Sequence, residues 1–181
     1  RAIDPLARIR LIQYPDAAIQ ERARKLLEQT TNTRAQVVRA HRDVLDMSAD
    51  AGRGKAAFEE HCGRCHLRQG GRDRIGPDLS GVNNKSKEEL LTHILDPSFK
   101  IEPAYANYVV VDKQGRIFDG LLAGETAAAI TLRGGLEDVT ILRENIREMR
   151  VAEVSMMPEG LEEQMSRQNI ADVIAYLRAG L

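Results

Sequence analysis

Apolar residues recur along this chain at two different periods, and the change from one to the other divides it. In QNIADVIAYLRAGL, Ile170, Val173, Ile174 and Leu177 follow intervals of three and four, with Gly180 at the expected stop, which predicts an amphipathic helix. SKEELLTHILDPS repeats the plan with Leu90, Leu91, Ile94 and Leu95 on one face; Ser86 and Glu89 form a capping box, and Asp96-Pro97 ends the helix. GKAAFEEH also reads as helix, with Gly54 and Phe58 on one stripe leading to Cys62, and a glycine there permits another helix to approach closely. Between these helices the period falls to two. YVVVDKQGRIFDGLLAG is a strand, a glycine-containing turn and a strand, and AAAITLRGGLEDVTILREN repeats that plan around Gly134-Gly135. Ile130 and Leu132 alternate with Thr131 and Arg133, so four or five antiparallel strands are expected, one face packed and one wet. The first 50 residues return to helical spacing, at Ile19, Ala23 and Leu26/Leu27 after a Pro-Asp start and again in TRAQVVRAHRDVLDM, which predicts two helices.

Composition narrows the picture. With 43% hydrophobic residues in 181, the chain can bury a real core. Its 26 basic and 27 acidic residues leave a net charge of -1, so nothing draws it as a whole to nucleic acid or to an anionic membrane. No apolar run approaches the roughly 18 residues of a membrane span, so no transmembrane segment is expected in this chain. The chain opens on Arg1, from which we expect a removed leader or a piece cut from a longer polypeptide.

Both cysteines lie within FEEHCGRCHL, three apart. A disulfide between them would close too short a loop to constrain the unfolded chain much. Three other chemistries use this spacing. Structural zinc needs two more ligands, and His41, His61, His66 and His93 lack the required spacing. Thiol exchange of the thioredoxin type follows a buried strand, whereas the residues before Cys62 read as helix. Covalent haem attachment uses C-x-x-C-H without remainder: Cys62 and Cys65 would form the thioethers, and His66 would be held beneath the iron. Zinc and thiol chemistry stay as alternatives. In GPDL, the Pro77 carbonyl is placed to accept the His66 Nδ1 proton and fix the ring's tautomer. For the opposite face of the iron the candidate is Met157 in SMMPEGL, where the following proline stiffens the loop. Met156 is the alternative, and core filling is the plain reading of both methionines. His93 points roughly 130° from the apolar face of its helix, and we expect it to meet solvent, as we do His41 and His61. Between Arg64 and Lys87, six basic residues face Asp73 and Asp78; Arg74 is our candidate for a haem propionate, and the others could steer an acidic redox partner.

Taken together, GKAAFEEHCGRCH, GPDL and the closing helix resemble a class I c-type cytochrome over residues 52–99 and 155–181, together 75 residues. The intervening 100–154 would then be a β-strand insertion, and 1–51 a helical segment, either the end of a helical-repeat region or, as the plain reading, two helices that pack on the cytochrome. The ordered set GKAAFEEHCGRCH, GPDL, ILDPSFKIEPAYANYVV, DGLLAGE, SMMPEGL and IADVIAYL is similar to the PVC-type haem-binding CxxCH domain, a module usually C-terminal in larger exported bacterial proteins. The resemblance implies an α+β fold, mainly helical and split by a small antiparallel insertion. It implies one covalent haem c through Cys62 and Cys65, with axial ligands His66 and Met157, and a periplasmic or otherwise exported location. The function expected is electron transfer, not catalysis, in the service of a redox partner protein or a fused dehydrogenase domain. The alternative is a haem sensor or peroxidase-like site with a displaceable sixth ligand.

Overall fold

The structure is a computed structural model that describes residue 11 and residues 16–66, 75–134 and 137–180, with 27–33 described by their backbone alone. Helix and antiparallel sheet are both present, the α+β class. Helix α1, Ala17–Ala40, begins at Asp16, whose Oδ1 accepts the Ala18 and Ile19 N–H groups at 2.8 and 3.2 Å. The sequence predicts two helices here, and the chain forms one. Thr30, Thr31, Asn32 and Thr33 are weak helix formers, but each costs less than about 0.7 kcal/mol relative to alanine, and neither glycine nor proline occurs between 17 and 40.

The chain divides into two compact units. The first comprises Thr30–Lys100 and Glu159–Leu181 and is helical. Helix α2, Ala51–His61, is capped by Asp50, and the one-turn helix α3, Gly63–His66, follows directly. Helix α4, Lys87–Leu95, starts at Ser86, whose hydroxyl accepts the Glu89 N–H at 3.1 Å. Helix α5, Arg167–Ala179, starts at Ser166 and buries Ile170, Val173, Ile174 and Leu177. Helices α2 and α5 cross at Gly54, where a Cβ would lie 2.0 Å from the Asp172 carbonyl oxygen and 2.8 Å from Tyr176 Cβ. No residue but glycine fits.

Polar clamps hold this crossing. Asp172 is 2% exposed, and its carboxylate accepts from the Asp50 N–H at 2.7 Å, Arg53 Nε at 2.7 Å, Arg53 Nη2 at 3.0 Å and Gln168 Nε2 at 2.9 Å. Burial alone would raise its pKa, but these donors outweigh burial and hold it below the ordinary carboxylate range. In the same unit Arg34, also buried, donates to both Glu162 oxygens at 2.6 and 2.8 Å and to the Leu95 carbonyl that ends α4.

The second unit groups Ile101–Pro158 with Ile3–Gln29. Strands β1 Tyr108–Asp112, β2 Ile117–Glu125, β3 Ala129–Arg133, β4 Val139–Leu142 and β5 Ile146–Val151 form one antiparallel sheet in the order β4-β3-β2-β1-β5. Four strands run as a meander. A single 3-10 turn, Arg143–Asn145, then returns β5 to the free side of β1. Asp112 closes the β1–β2 turn by accepting from the Gln114 and Arg116 N–H groups, while Gly115 takes φ of 80°. Val110 packs with Ile130, Leu132 and Ile141. Val109 points the other way and packs with Ala152, Ile117 and Val154. The expectation of one wet face therefore fails at β1, where Val109, Val110 and Val111 are all buried. An unbroken apolar run has no polar side to show to water, so both faces must be covered. Alternation does hold in β3, where Ile130 and Leu132 are buried.

Candidate haem-attachment site

The site grows out of the end of α2. Cys62 breaks that helix, its N–H still donating to the Phe58 carbonyl, and its own carbonyl accepts from the Cys65 and His66 N–H groups at 3.1 Å each. CGRCH is thus one tight turn, with both thiols on it, unbridged and part-buried. Burial, with the neighbouring Cys65 second, pushes the Cys62 thiol up to about 11. A thiol-exchange cysteine needs the opposite, a depressed pKa that supplies thiolate. Among the described residues no group of three or more histidine, cysteine or acidic side chains is arranged to hold a metal ion, so CGRCH has no second half of a zinc site there.

His66 is fixed from two sides. Its Nδ1–H donates to the Pro77 carbonyl at 3.0 Å, and engaging that nitrogen selects Nε2 as the one for a metal. Gly76 donates its N–H to the Cys65 carbonyl at 2.9 Å, and a Cβ on Gly76 would come within 2.6 Å of His66 Cε1. Behind the ring, Phe58 lies 6.5 Å away between centroids and is in turn 5.5 Å from Tyr176 of α5. The Gly54 crossing and the imidazole are therefore linked through buried Phe58 and part-buried Tyr176. A histidine oriented by a carbonyl, wedged against a glycine and flanked by two unbridged thiols on one turn suits covalently attached haem.

Cys62, Cys65, His66 and Pro77 are brought together in the first unit. Arg74 lies outside the described residues, as do Arg68 and Arg72. Of the remaining basic residues, Lys85 pairs with Glu89 and Lys87 donates to the Leu45 carbonyl, so both serve the local structure. His93 stands on α4 with its side chain 33% exposed and 3.9 Å from Glu89. His61 departs from the surface position expected of it: its side chain is 14% exposed. Met156 and Met157 belong to the second unit, where the Met156 methyl meets Gly134 and the Met157 N–H donates to Ser155 Oγ at 3.1 Å. Sequence reasoning passed over Gly76, Asp172 and Arg53. Gly76 carried a signal, as the residue before the proline of GPDL, but Asp172 interrupts an apolar stripe and its partner lies 119 residues away.

Residues 49–114 match the family model described as cytochrome C oxidase, cbb3-type, subunit III. No curated protein matches the chain. The matched stretch contains the CGRCH turn, Gly76-Pro77 and α4, and together they support a c-type cytochrome domain. Domains of that family bind covalently attached haem c, and the match suggests haem-based electron transfer. Among the described residues no helix is long and apolar enough to cross a membrane.

Proposed function

We propose that this chain is a mono-haem electron carrier in which Cys62 and Cys65 tether the haem, His66 and Met157 are its axial ligands, and a partner or fused dehydrogenase supplies electrons. The observation that carries the reading is the His66 clamp, Nδ1 to the Pro77 carbonyl with Gly76 against the ring. Haem supplies one-electron chemistry when bound, and ligation by methionine sulfur raises its potential. The chain's own contribution is rigidity. A histidine that keeps its tautomer and orientation in both oxidation states limits the rearrangement that accompanies each transfer. Met157 is preferred to Met156 because the Met156 side chain is already occupied against Gly134, while Pro158 stiffens the backbone after Met157.

Within this reading, residues 52–99 and 155–181 form a class I cytochrome split by a β insertion at 100–154, and 1–51 ends a helical-repeat region, the arrangement of a PVC-type haem-binding CxxCH domain. Haem attachment of this type places the protein in the periplasm or otherwise outside the bacterial inner membrane. The second reading is a haem sensor or peroxidase-like site whose sixth ligand is displaced by a small molecule.

Optical spectra of the purified holoprotein test both. The weak far-red band of ferric haem bound by methionine sulfur should be present in wild type and absent in Met157→Ala. The low-spin spectrum should be lost in His66→Ala, and colour should stay with the polypeptide through acid-acetone extraction. A redox-active low-spin His66→Ala protein overturns the assignment. Ready carbon monoxide binding by the reduced wild type would move the displaceable-ligand reading ahead.

A further inference from the structure

The chain leaving β5 does not cross open space to reach its methionines; it is stitched back onto the sheet at three successive points. The Ala152 N–H donates to the Asn107 carbonyl at 2.7 Å, at the entrance to β1. Val154 packs into the cluster of Val109, Ala152 and Ile117. Met156 then lays its terminal methyl against Gly134, with Cε 3.1 Å from where a Cβ would stand.

That third point is built by two glycines. Gly120 of β2 and Gly134, just past β3, are so close that a Cβ on Gly120 would lie 2.7 Å from the Arg133 carbonyl oxygen, and one on Gly134 would lie 2.7 Å from the Asp119 carbonyl oxygen. Side chains are absent from both positions, which leaves bare backbone for an apolar side chain to rest on. Ala152, Val154 and Met156 sit two residues apart, while Ser155 turns its hydroxyl to the Met157 N–H. Met157 is therefore the first residue beyond the last anchor, and Pro158 follows it.

We infer that Met156 is a positioning residue: resting on the Gly120–Gly134 contact of the sheet, it anchors the loop that presents Met157. The inference rests on the reading of Met157 as the sixth ligand, and it assigns the β insertion the task of holding that ligand's backbone. A loop anchored only at its far end would let the thioether swing away more often. Met156 acts through Met157 and touches no reacting atom.

The experiment uses the holoprotein and four variants: Met156→Leu, which keeps an apolar side chain of similar size but has no sulfur, Met156→Val and Met156→Ala, which cannot reach Gly134, and Met157→Ala as reference. The far-red ferric band and the rate of carbon monoxide binding to the reduced protein are read, with circular dichroism as the check on folding. Met156→Leu should match wild type. Met156→Ala should show a weakened band and carbon monoxide binding faster by about tenfold, the factor that corresponds to roughly 1.4 kcal/mol of lost anchoring. Met156→Val gives the same comparison if the alanine variant does not fold. Alanine and valine variants indistinguishable from Met156→Leu, with the band lost in Met157→Ala, overturn the anchor while leaving Met157 as ligand. A band lost in Met156→Leu but kept in Met157→Ala makes Met156 the ligand, and then both readings fall.

Discussion

The two units solve the problem of a defined shape by opposite means. In the helical unit, direction is set by buried charge at a few points: Asp172 gathers donors from Asp50, Arg53 and Gln168, and Arg34 ties Glu162 to the end of α4. In the β unit the apolar strands do the packing, and its two most deeply buried polar residues are Asp112, spent on closing a turn, and Asn107. A helix crossing has rotational freedom that apolar contact alone does not remove, whereas a strand ladder fixes its own register through backbone hydrogen bonds. The polar clamps therefore appear in the unit whose helix crossing must be held at a fixed angle, the unit that also carries His66.

The largest effect should come from Gly54→Ala. In an exposed helix that change stabilises by up to about 1 kcal/mol, but here the new methyl meets the Asp172 carbonyl, and the sign should reverse to a loss of about 3 kcal/mol, read by chemical denaturation. A neutral result would mean that α2 and α5 cross elsewhere.

Asp172→Asn comes next, at about 2 kcal/mol, because the amide cannot accept charge-assisted bonds from Arg53 and the Asp50 N–H as the carboxylate does. This variant also carries a pH signature. The folded pKa lies below the unfolded value of about 3.9, so the contribution is complete above that value and is lost as pH falls through the folded pKa. Wild type should lose this part of its stability below about pH 4, and Asp172→Asn should lose less over the same range. Parallel acid-unfolding curves would remove Asp172 as the clamp.

The smallest effect belongs to the β unit. The Asn107 side chain is fully buried, and its amide nitrogen and oxygen find no hydrogen-bond partner among the described residues. Asn107→Leu, close in size and free of that burden, should be neutral or stabilising by about 1 kcal/mol. Destabilisation of that size or more would break the contrast, since it would mean that the β unit depends on a buried polar contact beyond the Asp112 turn.

What could be read from the sequence follows the range of the interaction. The capping box of Ser86 and Glu89, the apolar stripe of α5 and the tight CGRCH turn are all contained within a few residues, and local spacing reveals them. Gly54 was readable as a place of close approach because a glycine on an apolar stripe has few other uses. The continuity of α1 was not, since threonine and asparagine lower helix propensity without forbidding the helix. Arg34 with Glu162 was hidden for another reason. The pair is 128 residues apart, and each member reads alone as a surface charge. The seat of Met156 combines a strand, a hairpin glycine and a returning loop, a juxtaposition that only the sheet order brings about.

The crossing of α2 and α5 also has a meaning in time. Arg53 and Asp172 are 119 residues apart, so when synthesis runs from one end, the turn bearing both cysteines is complete long before the helix that will cover its neighbour exists. During that interval Cys62, Cys65 and His66 stand next to a helix whose partner has not arrived. Chain position alone thus leaves the CGRCH turn without its packing partner until α5 has been made.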